Sequence, residues 1–83
     1  MSRTLASPLH KAIIEYLIRK RKEAGLTQAE VAARLNRYQS FVATVEQGQR
    51  KIDVVDLFLF GEAIGFDPVE AIIEFKRITK LSE

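Results

Sequence analysis

Gln39, Ser40 and Thr44 fall on one side of a short helical repeat whose other side carries Val42 and Val45. An amide and two hydroxyls supply donors and acceptors for recognition, whereas bond-making chemistry needs an activated nucleophile, a general base or a metal. The sequence assembles none of these. It has no Cys, and its single His, His10, sits near a helix start where it reads as solvated. No spacing of His, Cys, Asp or Glu matches a metal site, and most carboxylates fall at helix starts or on exposed faces, where capping accounts for them. An enzyme is therefore not expected, and neither a cofactor nor a metal.

The charge distribution is more informative than the net charge of +2. Residues 1–51 carry ten Lys or Arg against four Asp or Glu, a balance of +6, while residues 52–83 carry three against seven, a balance of −4. The basic half could lie against phosphate with the acidic half turned away. The 83 residues, 47% of them hydrophobic, suit one domain with one core, assigned to residues 1–83. Without Cys, that core must hold by packing. Met1–Ala6 has no apolar core of the signal-peptide kind, and no apolar run approaches the roughly 20 residues that span a bilayer, so a cytoplasmic protein without a membrane partner is expected.

Caps and periods predict five helices and no strand. Ser7 and Pro8 suit an N-cap and first helical position, and Leu9, Ile13, Tyr16, Leu17 and Ala24 recur at helical spacing up to Gly25. Thr27-Gln28-Ala29-Glu30 has the form of a capping box and opens a very short second helix with Val31, Ala32 and Leu35 inward. Asn36, tolerant of the left-handed conformation, follows it. A third helix is predicted over Gln39–Gln47, closed by Gly48. Asp53 caps a fourth through Ile64, and Asp67-Pro68 with Glu70 opens a fifth.

The ungapped stretch from Gln28 to Gly48, preceded by Gly25-Leu26-Thr27 and containing Glu46-Gln47-Gly48, resembles the Xre/Cro family of helix-turn-helix regulators. The resemblance implies an all-α, five-helix, lambda-repressor-like fold with the helix-turn-helix at about 28–47. It implies double-stranded DNA as partner and places the third helix in the major groove. Gln39, Ser40, Phe41 and Thr44 would then meet base edges: Gln bonds adenine bidentately, Ser and Thr bond several bases, and Phe41 could lie on a thymine methyl. Gln28, by resemblance, would bond a backbone phosphate, joined by Arg37, Tyr38, Gln47, Arg50 and Lys51 around the same helix. The family's acid at Glu46 pairs with a basic residue of helix one, here Arg21. The turn departs from the pattern, with Asn36 for the usual Gly, Arg37 for an apolar residue and Tyr38 for a Ser or Thr cap.

One such motif contacts too few bases for a genomic search, so a homodimer on a palindromic operator is expected, acting as a repressor. The fourth helix is apolar nearly all round, and helix five adds Ile72, Ile73, Phe75 and Ile78. Residues 53–80 are accordingly expected to form an isologous interface opposite the DNA, through Phe58, Phe60, Ile72, Phe75 and Ile78; the competing reading makes helix four the central core helix. A second protein partner would fit an antitoxin that also wraps a toxin. A restriction-modification controller and a protein-binding adaptor are the other readings.

Overall fold

Ser7, Thr27 and Asp53 each end an extended approach and accept the amide three residues on: His10 N to Ser7 Oγ at 3.0 Å, Glu30 N to Thr27 Oγ1 at 3.0 Å, Asp56 N to Asp53 Oδ1 at 2.8 Å. Glu30 and Asp56 reach back to the capping amides, closing two capping boxes, and each cap is worth about 0.5–2 kcal/mol. The computed structural model describes residues 7–82. Its elements are α1 (Pro8–Glu23), α2 (Gln28–Leu35), α3 (Gln39–Glu46), α4 (Val54–Ile64) and α5 (Pro68–Ser82), with no strand among the described residues. Helix three is one residue shorter than expected, because Gln47 forms its C-cap. Met1–Ala6, read above as unlike a signal segment, lie outside the described residues.

The helices pack as a layer of α1 against α3, α4 and α5, with α2 wedged between α3 and α4. Leu17, Val31, Val42 and Val45 are the large side chains sealed most completely from solvent. They join α1, α2 and α3 into one core that fixes α3 relative to the rest. Tyr16 adds edge-to-face contacts to Phe66 and Phe75 at centroid distances of 5.4 and 5.3 Å, tying α1 to the α5 side. Arg34 of α2 donates to the Ala63 carbonyl at 2.9 Å, satisfying one of the orphan acceptors at the end of α4. Gly61 lets the chain fold back after α4: a Cβ there would stand 2.9 Å from the Phe66 carbonyl oxygen.

Three sequence expectations change. Phe60 and Phe75, expected in a dimer interface, are 2% and 9% exposed and belong to the core. Phe60 falls in line with Leu57 and Ile64 on the inward face of α4, and Phe75 lies against Tyr16. A helix as apolar as α4 gives no period from which to read its inward face, while on α5 the run Ala71-Ile72-Ile73 before Phe75 spans both sides. His10, expected in solvent, is 8% exposed, and its Nε2 has no hydrogen-bond partner among the described residues. No helix among the described residues is long and apolar enough to cross a membrane.

Candidate nucleic-acid interface

The turn between α2 and α3 forms as its residues dictate. Asn36 takes φ 58° and ψ 43°, the left-handed conformation a residue with a Cβ seldom adopts and Asn tolerates best. Its amide donates to Ala33 O at 3.1 Å, and that of Arg37 to Ala32 O at 2.9 Å, so the carbonyls ending α2 are satisfied without glycine. Tyr38 stands at the N-cap of α3 with no side-chain cap bond, and the residue is 87% exposed. Val42 and Val45 then lie against Val31 and Ala32, all of them buried, which sets α3 rigidly on α2.

With that face buried, Gln39 and Ser40 are exposed and Thr44 half-buried. The Thr44 hydroxyl donates to Ser40 O at 2.6 Å, so what it has left to offer outward is acceptor capacity. The expected pair of Arg21 and Glu46 is present and bidentate, with Nε to Oε2 at 2.6 Å and Nη2 to Oε1 at 2.9 Å. Arg21 Nη1 also donates to Leu26 O at 2.9 Å, holding the turn before α2. The hydrogen bond to Glu46 holds the Arg21 guanidinium above its ordinary pKa.

From this pair a polar chain runs outward. Gln28 Nε2 donates to Glu46 Oε1 at 2.8 Å, and Gln39 Nε2 donates to Gln28 Oε1 at 3.0 Å. Gln39 keeps its own Oε1 and a second N–H, the acceptor and donor that a bidentate contact with adenine requires. Gln28, expected as a phosphate contact, thus also positions Gln39. Resemblance marked Gln28, Gln39 and Glu46 singly; their link, across 11 and 18 residues of chain, becomes visible only when α2 and α3 cross.

Phe41 is half-buried and stacks on Phe60 at 6.2 Å and 23°, leaving its ring partly in the scaffold. Around it lie Arg37, exposed in the turn, and Arg50, exposed after α3. Lys51 and Gln47 are exposed on the same connection, Gln47 at the C-cap of α3. The structure brings Arg37, Tyr38, Ser40, Phe41, Thr44 and Arg50 together around one open bowl. Of the residues expected at a dimer interface, Phe58 and Ile72 are 46% and 44% exposed, and Ile78 is half-buried. Val54, Val55, Leu59, Val69 and Ile73 add exposed apolar surface on the same two helices.

Five helices, with α3 laid across α2 and its polar face outward, define a helix-turn-helix protein. The helix-turn-helix domain family matches residues 15–71. A curated relative, the HTH-type transcriptional regulator y4dJ of Sinorhizobium fredii, is 34% identical over 64 residues, 77% of this chain and 83% of that protein. The solved XRE-family like protein from Pseudomonas syringae pv. tomato is 36% identical, with a TM-score of 0.85 over 93% of this chain and 94% of that one. The restriction-modification controller C.AhdI of Aeromonas hydrophila is 27% identical, with a TM-score of 0.68 over 75% and 90% of the two chains. The chain belongs to the Xre family of helix-turn-helix transcriptional regulators.

Proposed function

We propose that this regulator is a homodimeric repressor that binds a palindromic operator and reads each half-site in the major groove with Gln39, Ser40 and Thr44. The observation that carries the reading is the Gln39 amide, fixed through Gln28 and Glu46 to Arg21, with one donor and one acceptor turned outward. A side chain held in this way loses little freedom on meeting a base, so the contact discriminates. Arg37, Arg50, Lys51, Tyr38, Gln47 and the free N–H of Gln28 supply phosphate contacts that orient the helix without reading sequence. The exposed apolar face of α4 and α5, with Phe58 and Ile72 on it, forms the dimer contact, and repression follows from occupying the operator.

Selection of bound duplexes from a random pool tests the reading. A palindrome should be enriched, with half-site centres about 34 Å apart, one helical turn. Light scattering on the free protein should give the mass of a dimer. Enrichment of no sequence, or a monomer on a single half-site, would contradict it. The similarity to C.AhdI favours a second reading, a restriction-modification controller. A selected site that lies upstream of restriction and modification genes would decide for it.

A further inference from the structure

Two cations that should repel each other meet on one aromatic ring. The Cζ of Arg37 lies 3.9 Å from the centroid of Phe41, and the Cζ of Arg50 lies 4.9 Å from it. Phe60 stacks along the ring as well, at 6.2 Å and 23°, which anchors Phe41 in the core and holds the ring as a fixed platform. Arg37 comes from the turn before α3 and Arg50 from the loop after it, so the two arrive from opposite ends of the helix. Neither is paired with a carboxylate among the described residues. Each exposed cation–π contact contributes little to stability by itself. Both arginines, with the ring between their origins, line the same bowl as Ser40 and Thr44.

Two guanidiniums that line one bowl, neither in an ion pair among the described residues, suit a tetrahedral oxyanion, to whose oxygens each can donate charge-assisted bonds of about 2.8 Å. We propose that Arg37, Phe41 and Arg50 form a single clamp for one phosphate group, with Phe41 a positioning residue that does not read a base. The inference rests on the DNA-binding reading above. It takes the phosphate from the DNA strand, because the clamp shares its bowl with the outward face of α3. Electrostatically, the second arginine strengthens the grip on a phosphate already held and neutralises no further one. It also accounts for Arg37 at a position where the resemblance leads one to expect an apolar residue, since its guanidinium lies on the ring rather than in solvent alone.

The test is a scan of the selected operator in which each phosphate in turn is replaced by a neutral methylphosphonate. In the unaltered protein, one position per half-site should lose about tenfold in affinity, the value of a charge-assisted hydrogen bond. Arg37→Ala and Arg50→Ala should each reduce the loss at that same position, and the double variant should bring it to near nothing. The double variant should lower the salt slope by about 0.9, one phosphate's worth, rather than about twice that. Phe41→Leu, which keeps the apolar contact with Phe60, should weaken all sequences alike. Sensitivity lost at two different phosphates, or a change of base preference in Phe41→Leu, would overturn the clamp while leaving DNA binding intact. Failure to enrich any duplex would overturn both. Titration of the DNA-free protein with inorganic phosphate separates the sources: saturation of the Arg37 and Arg50 side-chain NMR signals below a millimolar would assign the clamp to a free anion and contradict the strand.

Discussion

On the α2–α3 side, Gln39 is bonded to Gln28, Gln28 to Glu46, and Glu46 to Arg21, so its outermost side chain is tied back to α1. On the α4–α5 side, Phe58, Leu59, Ile72 and Ile73 stand exposed, and their chemistry is that of Phe60 and Phe75 in the core. Hydrogen bonds are directional, so the first surface has one arrangement that satisfies it. Apolar burial is not directional, and the second surface has its assignment fixed only by how the helices happen to lie. The first arrangement suits the reading of base edges, and the second suits a contact between protein surfaces.

The two surfaces should differ most when a phenylalanine of α4 is cut back to alanine. Phe60→Ala should cost about 3–5 kcal/mol in urea unfolding, whereas Phe58→Ala should leave the unfolding of the monomer nearly unchanged and weaken self-association. Equal losses from both would mean that α4 has no distinct outer face. Glu46→Ala removes the partner of a mostly buried guanidinium and should cost about 3–5 kcal/mol. Arg19→Ala, which breaks an exposed ion pair to Glu74 at 3.3 Å, should cost less than about 1 kcal/mol.

Gly61→Ala sets a Cβ 2.9 Å from the Phe66 carbonyl oxygen, a backbone atom that cannot swing away. A loss of about 1–3 kcal/mol in thermal unfolding is expected, as for other overpacked sites. The smallest effect is one of pH. The amide and hydroxyl of Thr27 hold the exposed Glu30 carboxyl below its ordinary value of 4.5. The folded value is the lower one, so the stabilisation is present above the ordinary value and is lost as pH falls through the folded one. Glu30→Ala should therefore lower stability at neutral pH slightly and flatten the acid limb of the unfolding curve.

The helices were legible because their ends are written in short-range chemistry. Ser7, Thr27 and Asp53 cap, Asn36 turns left-handed, and Gly65 closes α4, each through contacts within a few residues. The Arg21–Glu46 pair was legible by resemblance. Phe60 was misplaced because a helix as apolar as α4 gives no period to show which side is in, and Phe75 because the apolar run Ala71-Ile72-Ile73 before it on α5 covers both the inward and the outward side. His10 was misplaced for a related reason: one polar residue near a cap says nothing of the core that closes over it. The Gln28–Gln39 bond and the shared ring of Arg37 and Arg50 depend on a crossing of helices that no local pattern encodes.

Competition binding of Gln39→Ala against every single base-pair change of the selected operator tests whether a fixed Gln39 reads one base pair. Discrimination should fall by about 1–3 kcal/mol at one position in each half-site and persist at the others. Lys51→Ala should weaken all sequences alike and reduce the salt slope by about 1. Uniform weakening by Gln39→Ala, with its base preferences unchanged at every position, would contradict the account.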